Sequence, residues 1–275
     1  MTDNYALIND QFVLQSEASL HLNDLSIQRG YGIFDYLKTL DSRPVFLEDH
    51  LDRFYASAAY MNLPFRISRE KLAQLIKELI QKNNLADSGI RLTLTGGFSP
   101  DGYTVTSPNL WITQSPLNFD EASFERGIKL ITHEHQRQLP QVKTIDYLYA
   151  IYLQPLILEK KAEDVLYHNQ NVITECPRAN FFIVDQNGEV ITPSKNILKG
   201  ITRKKILGFT GLSIREGDIT MEDLENASEA FITSTTKYVL PVTSINGKEI
   251  GSGKGGEITD LISQKLRKSF LENKS

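Results

Sequence analysis

The chain has 275 residues, 40% of them hydrophobic, which is enough for one large domain or two of about 100 to 150 residues each. Its formal net charge of -4 gives no electrostatic case for nucleic acid or an anionic membrane as partner, so small-molecule chemistry is the expectation. Cys176 is the single cysteine, which excludes an internal disulfide and a multi-cysteine metal site; with a polar start and no apolar run of spanning length, a soluble, cytoplasmic chain is expected.

Residues Tyr5 to Leu14 alternate in strand fashion around Asn9-Asp10, which predicts an N-terminal β-hairpin. Leu47, Leu51, Phe54, Ala58 and Met61 recur at helical spacing, and a second stripe through Leu72, Leu75, Ile76, Leu79 and Ile80 follows a Ser68 cap. Ile90, Leu92 and Leu94 then alternate with Arg91, Thr93 and Thr95, so a strand is expected with Arg91 on its polar face. The stretch Ser115 to Asp120 after the strand Asn109 to Thr113 is the expected linker, with a domain boundary near residue 118.

Beyond it the pattern predicts a strand over Ile128 to Thr132 and a helix from about Asp146 to Lys161. Short strands follow between Asp164 and Thr192, and then a helix near Thr202. A further helix begins at Thr220, with Asp223 placed for reciprocal capping, and a last one runs from about Glu257.

Several chemical signals need weighing against plainer readings. Gly251-Ser-Gly-Lys-Gly-Gly256 lacks the spacing of a phosphate loop and reads as a surface turn, and His133 and His135 read as polar-face histidines without a third metal ligand. Lys143 on its face is one of many solvated lysines, but Val142 and Ile145 flank it, and desolvation makes an amine a better nucleophile. Glu175 closes the strand Asn171-Val-Ile-Thr-Glu, and an isolated glutamate there would do no more than end it. Leu198-Lys-Gly-Ile-Thr-Arg203, however, leads into a helix whose first amides around Ile201 and Thr202 suit an anion. Ser234-Thr235-Thr236 ends an apolar strand in hydroxyls, and Arg53 supplies a fixed cation on the helix after Phe46.

In chain order, Arg29-Gly-Tyr-Gly-Ile-Phe-Asp35, His50-Leu-Asp-Arg53, Lys143, Thr174-Glu175 through Asn180, Leu198 to Arg203, and Thr233-Ser-Thr-Thr236 ahead of Pro241-Val242 resemble the class IV aminotransferases. That family comprises branched-chain aminotransferases, D-amino acid aminotransferases and aminodeoxychorismate lyases. The resemblance implies the fold type IV architecture of the α/β (α+β) class: a small N-terminal α/β domain over 1–118 and a larger C-terminal pseudo-barrel over 119–275 that binds pyridoxal 5'-phosphate (PLP), assembled as a homodimer. It further implies Lys143 as the Schiff-base lysine and proton shuttle, and Glu175 as the carboxylate against the pyridine nitrogen. Arg53, Ile201, Thr202 and Thr235 resemble the phosphate cup, and Tyr147 the phenol near the cofactor O3'.

The chain departs from its relatives in the substrate half. The D-amino acid enzymes carry an Arg-x-His pair where this chain reads Asp101-Gly-Tyr103, and arginines stand instead at Arg29, Arg91 and Arg178. These three are expected to bind substrate carboxylates, which favours dicarboxylates such as 2-oxoglutarate and D-glutamate over the neutral side chains of a branched-chain L-amino acid enzyme. The resemblance to the D-selective and lyase subgroups around Asp101 to Tyr103 and in segment length implies a D-amino acid transaminase with 2-oxoglutarate or pyruvate as acceptor. The Gly102-Tyr103 pair keeps an aminodeoxychorismate lyase open as a rival, and a PLP-binding protein without turnover is the non-enzymatic alternative.

Overall fold

The computed structural model describes residues 3–117 and 121–272, so the boundary expected near residue 118 lies outside the described residues. These residues form two compact units: residues 3–117 with Val142–Asp146, and residues 121–141 with 147–272.

The first unit opens with the hairpin β1 (Tyr5–Ile8) and β2 (Gln11–Leu14), closed through Asn9 at φ 57°, a left-handed position that asparagine tolerates. It continues through α1 (Leu25–Arg29), β3 (Gly32–Leu40), β4 (Arg43–Pro44), α2 (Leu47–Tyr60), α3 (Arg69–Asn83), β5 (Ser88–Thr95) and β6 (Leu110–Pro116). Ser115 and Pro116, expected in the linker, are the end of β6. The strands form an antiparallel sheet in the order β2-β1-β6-β5-β3-β4. Ser68 caps α3 by accepting from the Lys71 N–H, and the expected apolar stripe of α3 is buried.

Strand alternation divides the side chains of this sheet. Ile33, Asp35 and Leu37 lie opposite Leu94, Leu92 and Ile90 in one fully buried row. Phe34, Tyr36 and Lys38 lie opposite Thr93, Arg91 and Gly89 on the other face. Val142–Asp146 joins this unit through the backbone. The Phe34 N–H donates to the Lys143 carbonyl at 2.9 Å and the Ile145 N–H to the Gly32 carbonyl at 3.1 Å. At Gly32 an added Cβ would meet the Leu94 carbonyl oxygen at 2.9 Å and Ile145 Cδ1 at 3.1 Å, so only glycine admits the segment this closely.

The second unit contains α4 (Glu121–Arg126), β7 (Ile128–Glu134), α5 (Leu148–Tyr152), α6 (Gln154–Glu159), β8 (Asp164–Asn169), β9 (Val172–Ile173), β10 (Glu175–Cys176), β11 (Ala179–Val184) and β12 (Val190–Thr192). It ends with α7 (Ile201–Leu207), β13 (Ile214–Glu216), α8 (Met221–Glu225), β14 (Glu229–Ser234), β15 (Tyr238–Ile245), β16 (Lys248–Glu249) and α9 (Glu257–Glu272). The sheet order is β13-β12-β11-β14-β15-β7-β8-β9, with β10 on β11 and β16 on β15. The Thr174 N–H, just ahead of β10, bonds to the Tyr167 carbonyl of β8 at 2.9 Å, which curls the sheet back on itself around Phe181, Ile183, Ile232, Leu240, Leu130 and Leu166.

Two expectations are corrected here. The single helix expected over 146–161 is two short helices, because Pro155 stands at the start of the second, has no N–H to donate, and would clash with a carbonyl of the preceding turn. Glu175 does not end the strand before it but opens β10, whose Glu175 and Cys176 pair with Asn180 and Ala179. The capping box at Thr220 and Asp223 forms as expected.

Candidate active site

The first unit builds a cationic group on β3 and α2. His50 and Arg53, three residues apart on α2, reach one face of the helix and meet Asp35, the one carboxylate in the apolar row of β3. Asp35 Oδ1 accepts from His50 Nδ1 at 2.7 Å and Arg53 Nη2 at 2.8 Å, and Oδ2 accepts from Arg53 Nε at 2.8 Å. Burial by itself would raise the Asp35 pKa, yet the charges and hydrogen bonds of Arg53 and His50 outweigh it and hold the carboxyl well below the usual carboxylate range. Burial lowers the His50 pKa, aided by Arg53 and Lys143 against the pull of Asp35. The imidazole is therefore neutral and donates from Nδ1 to a charged carboxylate. Arg53 meets Asp35 through Nε and Nη2 and is fixed in one orientation by the pair.

On the other face of the sheet, the Phe34 ring carries two cations. The Arg91 guanidinium carbon lies 4.1 Å and the Lys143 Nζ 4.5 Å from its centroid. Val142 is buried beside the half-buried Lys143, as the apolar flank suggested. Tyr36 stands opposite Arg91, and its phenol occupies the space over Gly89, where a built Cβ would come within 1.6 Å of the hydroxyl oxygen. Burial pushes the Tyr36 phenol up against the opposing influence of Arg91. Arg29 is exposed at the end of α1 and donates to the Gln28 carbonyl at 2.9 Å. The Asp101 loop is organised by its own carboxylate, which accepts from the N–H groups of Tyr103 and Thr104 at 2.9 and 2.8 Å and from the Ser99 hydroxyl at 3.0 Å; these bonds hold its pKa well below the usual range.

The second unit fixes Glu175. Its Oε1 accepts from Arg137 Nε at 2.9 Å, and Oε2 from the Leu198 N–H at 2.9 Å and Asn180 Nδ2 at 3.5 Å. Arg137 is itself tied to the Pro140 carbonyl through Nη2 at 2.5 Å. Asn180 clamps the approach to α7, donating to the Leu198 carbonyl at 2.7 Å and accepting from the Gly200 N–H at 3.1 Å. A Cβ at Gly200 would fall 2.1 Å from Asn180 Oδ1, so the clamp needs glycine there. Ile201 and Thr202 are buried in the first turn of α7, which has no side-chain cap among the described residues. Arg178 is exposed at the two-residue turn between β10 and β11, on the hairpin that carries Glu175. Thr235 is half-buried in the turn after β14, and Tyr147 is half-buried at the start of α5.

The glycine-rich turn Gly251–Gly256 is no anion loop: the Glu229 carboxylate occupies the start of α9, accepting from the Ile258 and Thr259 N–H groups at 3.1 and 2.8 Å. His133 Nε2 bonds the Tyr149 hydroxyl at 2.8 Å and His135 stacks on the Tyr149 ring at 4.0 Å. Among the described residues no group of three or more His, Cys, Asp or Glu could hold a metal. None of their helices is long and apolar enough to cross a membrane.

The family model described as amino-transferase class IV matches residues 32–245. The chain belongs to the class IV aminotransferases. A D-alanine aminotransferase of Bacillus licheniformis is 31% identical over 96% of this chain and 96% of the relative. One of Listeria monocytogenes serotype 4b (strain F2365) is 30% identical over 97% and 94%. The crystal structure of the Escherichia coli branched-chain amino acid aminotransferase matches with TM-score 0.91 and 24% identity over 100% of this chain and 97% of that one. A hypothetical aminotransferase from Mycobacterium tuberculosis in its PLP-bound form matches with TM-score 0.86 and 20% identity over 98% and 99%. The fold is thus that of the fold type IV enzymes, and as a class IV aminotransferase the protein uses PLP and acts on amino acids and 2-oxo acids.

The donor chemistry within each unit fits that cofactor. In the second unit Glu175 is a carboxylate fixed in place, as a pyridinium N–H requires, and the first turn of α7 has no side-chain cap among the described residues. In the first unit, taken by itself, Arg53 is a fixed cation of the kind a phosphate takes. Arg137, Asp35 and His50 are the residues to which sequence reasoning gave no role. Asp35 and His50 stood inside quoted motifs, and the available signal was a carboxylate in an otherwise apolar strand row with two possible partners at helical spacing. No comparable signal marks Arg137, which lies in the loop after β7.

Proposed function

We propose that this protein is a D-amino acid transaminase, moving an amino group between a D-amino acid and a 2-oxo acid such as 2-oxoglutarate or pyruvate. The observation that carries this reading is similarity to D-alanine aminotransferases at 28 to 31% identity along more than nine tenths of the chain. The branched-chain reading rests on structural neighbours at 24% identity or less, a level that speaks to fold.

Within this reading, PLP supplies a ring that accepts the electrons left when the substrate Cα loses its proton. Lys143 binds the cofactor covalently and carries the proton from Cα. Glu175, oriented by Arg137 and the Leu198 N–H, faces the pyridine nitrogen and keeps it protonated. Arg53, Ile201, Thr202 and Thr235 hold the phosphate, and Tyr147 lies near O3'. Arg29, Arg91 and Arg178 bind substrate carboxylates. Arg91 is the best supported of the three, because it rests on the same Phe34 ring as Lys143. A homodimer is supported by the apolar side chains left exposed on α5 and α6, namely Leu148, Ile151, Tyr152 and Leu158. The buried free thiol of Cys176 supports a reducing, cytoplasmic location.

The test is a half-reaction comparison of D-alanine and D-glutamate with L-leucine and L-glutamate, following the cofactor spectrum, and repeated with Arg91→Ala. Faster reaction with the L-substrates overturns the stereochemical assignment. An Arg91→Ala variant with unaltered affinity for 2-oxoglutarate removes Arg91 from the substrate site, where loss of a charge-assisted hydrogen bond predicts a drop of about tenfold or more.

A further inference from the structure

Thr233 is 1% exposed in β14, and among the described residues its hydroxyl has no hydrogen-bond partner. Native proteins rarely leave a buried hydroxyl in this condition, because its lost hydration is then uncompensated. Its surroundings identify the partner it is built for. Thr233 lies directly opposite Asn180 of β11 and Val239 of β15, so its side chain stands on the same sheet face as Asn180, with Cβ atoms about 5 Å apart.

The Asn180 amide is committed to the Leu198 carbonyl, the Gly200 N–H and Glu175, and cannot turn to the hydroxyl without releasing the strand that leads into α7. Next along that face, Phe182 and Phe231 stack at 4.7 Å and offer nothing polar. Thr235, two residues on from Thr233, belongs to the same hydroxyl-rich stretch, and α7 packs against β14.

We propose that Thr233 is a further ligand of the cofactor: its hydroxyl donates to a phosphate oxygen of PLP, beside the groups already assigned to the phosphate. This rests on the reading of Ile201, Thr202 and Thr235 as neighbours of that phosphate. An anionic oxygen satisfies a buried hydroxyl better than any neutral acceptor in reach.

The test uses the full-length chain stripped of PLP and titrated with PLP and with pyridoxal, which lacks the phosphate. Thr233→Val keeps the shape and removes the hydroxyl. It should raise the melting temperature of the cofactor-free protein, because an unpaired polar group is gone, and weaken PLP binding about tenfold with pyridoxal binding unchanged. Thr233→Ser should restore PLP affinity, and Thr233→Ala should repeat the loss if the valine packs badly. PLP affinity within about twofold of wild type in both the valine and alanine variants overturns the proposal, as does an equal loss for pyridoxal and PLP. Thr235→Val separates the two readings: if it weakens PLP and Thr233→Val does not, Thr233 alone is refuted, whereas if neither weakens PLP the phosphate reading of this strand end fails as well.

Discussion

Asp35→Asn is the perturbation whose outcome the structure constrains most tightly. The carboxylate accepts four hydrogen bonds, three at Oδ1 from His50, Arg53 and the Tyr36 N–H and one at Oδ2 from Arg53, and its side chain is 1% exposed. Asparagine has one acceptor oxygen. Whichever way the amide is turned, its NH2 group confronts a guanidinium N–H, so at least one charge-assisted bond becomes a donor–donor contact while the cation stays mostly buried. Losing one or two such bonds at about 1.5 to 3 kcal/mol each gives about 1.5 to 6 kcal/mol, and the cost of removing one partner of a buried pair narrows the expected loss of stability to about 3 to 5 kcal/mol. The depressed Asp35 pKa fixes the pH range. Its stabilisation is fully present above the unfolded-state value and is lost as pH falls through the folded one, so the deficit at neutral pH is complete. Urea unfolding of wild type, Asp35→Asn, Arg53→Met and the double variant measures it. Because both changes break one pair, the double variant should lose less than the sum of the singles. A single-variant loss below about 1 kcal/mol, or additive losses, would refute the reasoning.

Two further predictions concern the chemistry. Lys143→Ala should abolish transamination, and borohydride reduction should leave no cofactor attached to the chain; attachment at another lysine would displace Lys143 from its role. Arg137→Met strips Glu175 of its cation while the Leu198 N–H stays, so the half-reaction should slow by about tenfold, the equivalent of about 1.4 kcal/mol, with PLP still bound. An unchanged single-turnover rate would show that Glu175 does not need Arg137.

Much of the fold could be read from local pattern, because local physics decides it. The stripes of α2 and α3, the Ser68 cap and the Thr220–Asp223 box are interactions within a few residues, and each appears where the pattern places it. The exception among helices was also local: Pro155 carried the break between α5 and α6, and the apolar spacing around it masked that signal. The attachment of Val142–Asp146 to β3 was not legible, since it is made by backbone groups that any sequence possesses. Gly32, the residue that lets the segment approach, looks the same in sequence as a turn glycine.

The site divides along the same line. Lys143 and Glu175 are proposed from an ordered set of short segments, whereas the groups that hold Glu175 could be reached only through contacts distant in sequence: Arg137 lies 38 residues from Glu175, and Leu198 lies 23 residues beyond it. Asp35 is the instructive intermediate. Once β3 is read with period two, a carboxylate between Ile33 and Leu37 in the core row cannot be solvated, so it must find a cation or be protonated. The His50-x-x-Arg53 spacing on the next helix offers the partner, so the pair was derivable from burial alone before any resemblance was invoked. The same argument applied to Thr233 yields no protein partner among the described residues, and that difference makes its hydroxyl a sign of a ligand where Asp35 is a sign of packing.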